Sequence, residues 1–292
     1  MTNPTILVAG AKGQLGQCFQ HLAGDYPRWN FQFVDIDELD ITNRAAVFTW
    51  FKKNTPQWCI NCAAYAAVDK AENDTALARR VNVAGARNLA EACAEHNAML
   101  IHFSTDYVYH TKHNAPYRES DATSPKGVYA RTKLAGDLAT LKANPEAMIF
   151  RTSWLFAPYG HNFVRTILRF GAEQQSLNVV YDQLGSPTYA PDLAAMVLQL
   201  VEKVELKKLD RSALAGIWHY SNEGVCSWYD FAKAVVDIKG LPCKINPIET
   251  KDYPLPAPRP PFSVLNKAKI KQAFGVEIPH WRDSLERCLT IL

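Results

Sequence analysis

The 292-residue sequence lacks the features that mark membrane-spanning and exported proteins. It has no run of eighteen apolar residues, and Met1-Thr-Asn-Pro4 leads into a strand-like segment without the charged region and cleavage site of a signal peptide. Charged residues make up 21% of the chain and hydrophobic residues 48%, a balance typical of globular enzymes. We therefore expect a cytoplasmic protein with no membrane partner.

Charge of one sign, a cysteine framework and metal-ligand patterns are also missing. The net charge is only +3 and no block of Lys or Arg exceeds a pair, which argues against a nucleic-acid partner and leaves an anionic small molecule as a fitting ligand. Seven cysteines without framework spacing indicate reduced thiols. The single pair Cys59-Ile-Asn-Cys62 lies in a strand-like segment, which favours packing over a metal or redox role. The histidines form no His-x-His or His-x3-His pattern, so we expect no protein-held metal.

The first ordered feature is a glycine loop after an apolar run. Residues 5–9 are continuously apolar, as in a central parallel strand, and lead into Gly10-Ala-Lys-Gly13-Gln-Leu-Gly16. In this loop Gly10 permits a tight turn, Gly13 lets the backbone approach a pyrophosphate, and Gly16 lets a helix pack closely on the sheet. The alternative is a plain strand-to-helix turn. The chain is long enough for one large domain or two smaller ones around such a unit.

The second strand-like segment, residues 31–37, lies about twenty residues beyond the loop and carries carboxylates at its end. Asp35 can accept hydrogen bonds from the adenosine ribose and repels a 2′-phosphate, which favours NADH. Lys12 can pair with a phosphate and pulls the preference toward NADPH, so we expect either cofactor to be used. Asp40 begins the following loop, where it can cap the next helix.

Two later apolar segments also end in residues suited to a ligand site. Residues 58–63 are followed by small side chains, which let a flat cofactor lie against the backbone. Residues 99–108 contain Ser104-Thr105-Asp106 at the carboxyl end of a strand, where ligands bind in open α/β sheets. Thr105 is favoured over Ser104 as the hydroxyl that holds a substrate carbonyl, because neighbouring strand residues point to opposite faces. A hydroxyl that only caps the strand end is the alternative.

The segment Tyr129-Ala-Arg-Thr-Lys133 is predicted to be helical and carries a phenol and an ammonium four residues apart. Residues at i and i+4 share one helix face, so both side chains point the same way. A nearby cation favours phenolate, and we therefore expect Lys133 to lower the pKa of Tyr129 toward working pH. Such a pair is suited to protonating a carbonyl that receives a hydride.

Together, in this order, these motifs resemble the extended short-chain dehydrogenase/reductase superfamily over the whole chain. The resemblance implies an α/β fold, a Rossmann-type doubly wound parallel sheet with a smaller, discontinuous α/β substrate-binding domain. It implies that Tyr129, Lys133 and Thr105 are catalytic. It also implies cofactor contacts by Gly10, Gly13, Gln14, Leu15, Gly16, Asp35, Asp40, Ile41, Ala64, Tyr65, Ala66, Phe103, Tyr129 and Lys133.

Three further segments are similar to the dTDP-4-dehydrorhamnose reductase branch of that superfamily. They are Ala67-Val-Asp-Lys-Ala-Glu72, Arg151-Thr-Ser-Trp154-Leu-Phe and Arg259-Pro-Pro-Phe-Ser263-Val-Leu. The resemblance implies substrate contacts by Thr105, Asp106, Trp154 and Arg259. Trp154 would face the methyl group of a deoxysugar, or else pack in the core. Arg259 would fork onto a nucleotide diphosphate, or else pair with a structural carboxylate.

The order of segments predicts two interleaved domains. Residues 1–155 and 186–216 form the NAD(P)-binding domain, and residues 156–185 and 217–292 the nucleotide-sugar domain. The branch resemblance implies NAD(P)H-dependent reduction of the C4 ketone of dTDP-4-dehydro-L-rhamnose, the last step of dTDP-rhamnose supply for cell-surface polysaccharide. The alternatives are another nucleotide-sugar reductase, epimerase or dehydratase, or a non-catalytic regulatory relative. We expect a monomer or homodimer without a bridging metal, because Cys18 stands where some branch members would carry an acid.

Overall fold

The computed structural model describes residues 3–111 and 114–292. Its strands are β1 (Thr5–Ala9), β2 (Asn30–Val34), β3 (Trp58–Asn61), β4 (Met99–Thr105), β5 (Met148–Thr152), β6 (Leu155–Phe156), β7 (Ser176–Val180), β8 (Leu184–Gly185), β9 (Thr188–Tyr189), β10 (Gly216–His219), β11 (Cys226–Ser227) and β12 (Lys244–Ile248). Its α-helices are α1 (Gln14–Leu22), α2 (Arg44–Asn54), α3 (Val68–Ala71), α4 (Thr75–Arg79), α5 (Ala86–Glu95), α6 (Gly127–Ala143), α7 (Phe163–Glu173), α8 (Ala190–Glu205), α9 (Trp228–Lys239), α10 (Ala268–Phe274) and α11 (Trp281–Ile291).

A six-stranded parallel sheet organises the larger part of the molecule. Its strand order is β10-β5-β4-β3-β1-β2, so the chain turns outward in opposite directions from the neighbouring strands β1 and β3. This is the switch point of a doubly wound sheet, and the crevice beyond the carboxyl ends of β1 and β3 is where such folds bind ligands. The predicted fold class is confirmed.

The central strands are apolar throughout because helices cover both faces of the sheet. Ile6 and Val8 of β1 pack into a core shared with α1 and α8, whereas Leu7 and Ala9 pack with α2 and α5 on the other face. This alternation follows from the period of two in a strand, so a continuous apolar run divides evenly between two cores.

A smaller part of the molecule is built from short strand pairs and helices. The strand pairs are β7 with β12, β6 with β9, and β8 with β11. Helices α7, α9 and α11 surround a separate apolar core that includes Phe156, Phe231 and Leu285. Ser227 begins α9 with a reciprocal capping box, in which its side chain and that of Asp230 each accept a backbone N–H.

The predicted domain division at 216/217 stays a prediction, but two later elements lie against the large sheet. Strand β10 pairs with β5 in parallel, from Gly216 opposite Met148 to His219 opposite Arg151. Ile270 and Phe274 of α10 belong to the same core as α1 and α8. After residue 217 the chain therefore still contributes elements to the part of the molecule built on the six-stranded sheet.

Sequence patterns placed the elements well and their ends less well. The strand predicted over residues 31–37 ends at Val34, which leaves Asp35 in a loop. The helical segment after α4 begins as a π-helix, Arg80–Gly85, before α5. Within residues 3–111 and 114–292 no helix is both long enough and apolar enough to cross a membrane.

Candidate active site

The crevice at the β1/β3 switch point holds seven of the fourteen predicted cofactor residues. Its cavity has a volume of about 360 Å³ and is lined by Gly10, Lys12, Gly13, Asp35, Ile36, Leu39, Asp40, Ile41, Thr42, Cys62, Ala63, Ala64, Tyr65 and Val81. Seven of these were predicted from the sequence, namely Gly10, Gly13, Asp35, Asp40, Ile41, Ala64 and Tyr65. The loops that follow three different strands therefore meet in one cleft.

The glycine loop is shaped by close backbone approaches. Gly10 has φ +77°, and a Cβ there would lie 2.5 Å from the backbone nitrogen of Ala63. A Cβ on Gly16 would lie 2.3 Å from the carbonyl oxygen of Gly10. Only glycine fits either place. Gly13 lines the cavity directly before the start of α1, and together they make a cradle that suits the pyrophosphate of a dinucleotide.

The remaining predicted cofactor residues lie around this cleft in different ways. Gln14 begins α1 with its side-chain oxygen buried and without a hydrogen-bond partner, so a ligand group could satisfy it. Leu15 packs in the sheet core, which leaves only its backbone for the cofactor. Ala66 is exposed at the rim, whereas Phe103 is buried in β4.

The acidic end of the cleft is already organised by hydrogen bonds. The carboxylate of Asp35 accepts the backbone N–H of Lys12 at 2.9 Å and that of Ile36 at 2.9 Å. The ammonium of Lys12 pairs with Asp37 at 2.5 Å, and this contact raises the pKa of Lys12. Lys12 is therefore paired with Asp37, and because both side chains are largely exposed this pair is weak and a phosphate can compete for the ammonium.

Asp40 does not cap α2, which was one of its two interpretations. Its carboxylate accepts the N–H of Thr42 at 2.8 Å within the loop. The cap of α2 is Asn43, whose side chain accepts the N–H of Ala46 at 3.1 Å. Asp40 therefore shapes the loop that lines the cofactor cleft.

The three predicted catalytic side chains meet at the carboxyl end of β4. Thr105 ends β4 and Tyr129 lies in the first turn of α6, where the Thr105 hydroxyl is close enough to the phenol to favour its ionised form. Lys133 follows one turn later and donates to the carbonyl oxygen of Phe103 at 2.7 Å. The predicted helix and its shared face therefore position a phenol, a hydroxyl and an ammonium around one point.

The expectation that Lys133 lowers the pKa of Tyr129 is wrong in direction. Burial raises the pKa of Tyr129 to about 12 and outweighs the hydrogen bond from Thr105. Nearby Asp106 and Asp137 raise it further. The same burial lowers the pKa of Lys133 to about 8. The physical reason is that both groups are withdrawn from water, which penalises the charged form of each.

Asp106 adds a buried carboxyl beside the triad. Its side chain is only 2% exposed, and burial raises its pKa to about 7 against hydrogen bonds from Ser263 and Thr105. Ser263 belongs to the predicted Arg-Pro-x-x-Ser-x-Leu loop. Asp106 therefore links the catalytic strand end to the loop from the smaller part of the molecule.

The two carboxylates of the Ala67–Glu72 motif hold the site together, a role that sequence reasoning did not assign. Asp69 forms a two-pronged ion pair with Arg259, with N–O distances of 2.5 and 2.6 Å. Glu72 accepts the backbone N–H of Val128 at 2.7 Å, at the start of the helix that carries Tyr129. The structural-carboxylate interpretation of Arg259 thus has a named partner, although the guanidinium also lines the substrate-side cavity.

A larger cavity of about 550 Å³ lies between the catalytic strand end and the smaller part of the molecule. It is lined by Tyr107, Phe163, Thr166, Ile167, Phe170, Gln174, Leu177, Asn178, Val179, Val180, Gln183, Trp228, Tyr253, Leu255 and Arg259. Tyr107 joins the two halves of the site, since its ring meets that of Tyr129 edge-on and its hydroxyl hydrogen-bonds Arg259. Neither Tyr107 nor Trp228 was singled out, because each reads as an ordinary aromatic residue in the sequence.

Trp154 stands behind this cavity. Its indole stacks on that of Trp228 with centroids 3.6 Å apart, and Trp228 rather than Trp154 is among the lining residues. The backbone of Trp154 has φ +48°, a left-handed conformation that a tryptophan adopts only under tight local constraint. Trp154 therefore supports the wall of the cavity by packing.

Comparison with known proteins agrees with these features. The sequence matches the family described as RmlD substrate binding domain over residues 4–292. The chain belongs to this family. It is 40% identical to a dTDP-4-dehydrorhamnose reductase of Aggregatibacter actinomycetemcomitans, over 96% of this chain and 97% of that one. It is 37% identical to that of Sinorhizobium fredii, over 98% and 97%.

Among solved structures, the fold is similar to a dTDP-4-dehydrorhamnose reductase of Bacillus anthracis in complex with NADP. That comparison gives a TM-score of 0.93 at 34% identity, and covers 99% of this chain and 100% of the other. The predicted family resemblance is confirmed. Within the described residues, no group of three or more His, Cys, Asp or Glu side chains is arranged to hold a metal ion.

Proposed function

We propose that this protein reduces the C4 ketone of dTDP-4-dehydro-L-rhamnose to dTDP-L-rhamnose with NADPH or NADH. The observation that carries the proposal is the meeting of Thr105, Tyr129 and Lys133 at the end of β4, between a dinucleotide-shaped cleft and a second cavity. The relatives that carry this name align over nearly the full chain. We infer that the product serves polysaccharide supply, because a Bacillus subtilis relative that is 36% identical over 97% of this chain is named a spore coat polysaccharide biosynthesis protein.

Each side chain has a distinct task in a ketone reduction. Bound NAD(P)H supplies the hydride. Thr105 donates a hydrogen bond to the carbonyl oxygen, and Tyr129 gives that oxygen its proton as the negative charge develops. Lys133, which is charged below pH ~8, would bind the nicotinamide ribose. Its ammonium also places a positive charge one helix turn from the proton donor Tyr129.

The raised pKa of Tyr129 suits this direction of reaction. A phenol whose pKa is about 12 is fully protonated at neutral pH and is therefore ready to donate. Lys133 is the first group of the triad to titrate as pH rises, because burial brings its pKa to about 8. We therefore expect activity to fall on the alkaline side when Lys133 loses its charge.

The second cavity fits the sugar and its nucleotide. Its aromatic and aliphatic wall suits a deoxysugar and a thymine base, and Arg259 at its edge suits the diphosphate. Binding the diphosphate would require Arg259 to share or exchange its contact with Asp69. The protein is proposed to act in the cytoplasm on a dTDP-sugar, as a monomer or homodimer and without nucleic acid.

The alternatives are less well supported. A dehydratase of this superfamily needs a second carboxylate after the strand-end Thr-Asp, and this chain has Tyr107 there, packed against Tyr129. A regulatory relative needs no intact triad, whereas all three side chains here converge.

The test is NADPH oxidation with purified dTDP-4-dehydro-L-rhamnose, with the product identified by mass and NMR. We expect turnover in the wild type, and a Tyr129→Phe variant that still binds NADPH but is slower by about 10²–10⁴-fold, the usual loss of a general acid. A Tyr129→Phe variant within threefold of the wild type would show that another group is the acid.

A further inference from the structure

One face of α6 carries a third ionisable group beyond the two catalytic ones. Tyr129, Lys133 and Asp137 follow at intervals of four residues, so they lie in one row along the helix. Asp137 is fully buried and Lys133 is 2% exposed. The ammonium of Lys133 uses one of its donors on the carbonyl oxygen of Phe103.

Asp137 is held from the neighbouring sheet by Arg151. The Nε of Arg151 lies 3.3 Å from Asp137 Oδ2, and the two side chains are 3% and 0% exposed. The Nη1 of Arg151 donates to the hydroxyl of Tyr109 at 2.7 Å, and this hydroxyl lies 2.8 Å from His219 Nε2. His219 Nδ1 lies 3.1 Å from the carbonyl oxygen of Tyr117, which only accepts, so Nδ1 carries the proton and Nε2 accepts. The guanidinium is therefore fixed by Asp137 of α6 and by Tyr109 in the segment after β4, which His219 of β10 holds in turn.

A contribution to folding stability does not by itself explain this buried ion pair. Replacing a buried ion pair with apolar side chains is often neutral or stabilising, so the pair is weak evidence for a stabilising role. The chain nevertheless buries two cations, Lys133 and Arg151, with a single carboxylate, Asp137, that pairs with Arg151 and lies one helix turn from Lys133. Without Asp137, no anionic group would raise the pKa of the buried Lys133.

We propose that Asp137 is a positioning residue for the reduction: fixed by Arg151, its carboxylate is the counter-ion that keeps Lys133 charged beside Tyr129. The inference rests on the ketone reduction proposed above. Asp137 itself touches neither substrate nor cofactor and acts through Lys133.

The charged and titratable groups that face this row come from α6 itself, β4, β5, β10 and the segment after β4. They are Tyr129 on α6, His102 on β4, Arg151 on β5, His219 on β10, and Asp106 and Tyr109 in the segment after β4. Burial lowers the pKa values of both histidines, so neither carries charge at neutral pH. Only burial and Asp137 shift the pKa of Lys133, and Asp137 is the one that raises it.

The test is the pH profile of kcat/KM for Asp137→Asn against the wild type. The wild-type alkaline limb should have its midpoint near the pKa of Lys133, about 8. In the Asn variant this midpoint should fall by about one unit or more, the usual effect of removing an adjacent opposite charge. A variant with reduced activity but an unmoved midpoint overturns the proposal, because a merely structural role lowers activity at every pH alike.

Three further variants serve as controls for this test. Asp137→Glu keeps the charge and should restore the midpoint. Thr140→Val alters another fully buried polar side chain of α6 and should leave the profile unchanged. If Asp137→Asn does not fold because Arg151 is left unpaired, the double variant with Arg151→Met removes both charges and should show the same shift, since Arg151 does not act on Lys133 directly.

A second readout separates this inference from the proposed function. NADPH affinity, measured by fluorescence titration across pH 6 to 9, depends on the charge of Lys133 whatever the sugar substrate is. If the wild type fails to turn over the dTDP-ketosugar, the proposed function fails, while an acidward shift of NADPH affinity in Asp137→Asn still supports the counter-ion role. The same affinity midpoint in both proteins refutes it.

Discussion

The ion pair between Asp69 and Arg259 gives the most direct test of how the two parts of the site are held together. Asp69 lies in the α3 segment beside the cofactor half, and Arg259 lies in the proline-rich loop 190 residues later. The carboxylate also accepts the backbone N–H of Ala257 at 3.2 Å. Replacing Asp69 with Asn keeps the shape of the side chain and removes its charge.

The size of the effect follows from geometry and exposure. A charge-assisted, two-pronged contact contributes roughly 1.5–3 kcal/mol net when it is shielded from water. Here the side chain of Arg259 is 14% exposed and that of Asp69 is 36% exposed, so solvent screens part of the interaction. We therefore expect a coupling free energy of about 1–2 kcal/mol and a fall in Tm of about 2–8 °C for Asp69→Asn.

The assay is a double-mutant cycle by urea unfolding with Asp69→Asn, Arg259→Gln and the double variant. The control is the same cycle on the exposed pair of Glu249 and Lys251, in which Glu249→Gln and Lys251→Gln should show no measurable coupling. A coupling free energy at Asp69 and Arg259 no larger than that of the control pair would refute the assigned role.

The pH dependence of the same difference has a definite sign. Arg259 holds the pKa of the Asp69 carboxyl below its usual range. A group whose folded pKa is depressed stabilises the fold above its unfolded pKa, near ~4, and loses that contribution as pH falls through the folded value. The gap in unfolding free energy between wild type and Asp69→Asn should be constant from about pH 5 to 8 and should close below about pH 4.

Two further predictions concern the ligand cavities. Asp35 opposes a 2′-phosphate while Lys12 favours it, so kcat/KM for NADH and kcat/KM for NADPH should differ by less than about a hundredfold. Asp37→Ala should raise the ratio of kcat/KM for NADPH to that for NADH, because it frees Lys12 from its ion pair. Exclusive use of one cofactor in steady-state kinetics would contradict this prediction. A Cβ on Gly185 would lie 2.6 Å from the Trp154 indole, so Gly185→Ala should displace the wall behind Trp228 and raise the KM for the sugar roughly tenfold or more without weakening NADPH binding. Gly24→Ala, where a Cβ meets nothing within 4 Å, is the matched control, and equal KM values in the two variants would show that the wall does not set sugar affinity.

Local patterns in the sequence determined the sheet core and the motifs at its edge. An apolar run that ends in glycines is a strand followed by a loop wherever it lies, so β1 and its loop were predicted to the residue. Parallel strands place their carboxyl ends together, which is why residues from three loops were expected in one cleft and occupy it. A helix period of nearly four likewise fixed the shared direction of Tyr129 and Lys133.

Tertiary structure decided everything that depends on which distant groups surround a residue. The pKa of Tyr129 lies above its usual value, opposite to the expectation, because burial, which a motif does not reveal, outweighs the hydrogen bond with Thr105. Arg259 forms an ion pair with Asp69, 190 residues away, and Asp137 of α6 forms one with Arg151 of β5. Trp154 stands behind Trp228 because a left-handed backbone turns its indole toward another aromatic ring. Spacing along the chain encodes direction and period, but desolvation and ion pairing arise only when separate segments pack against one another.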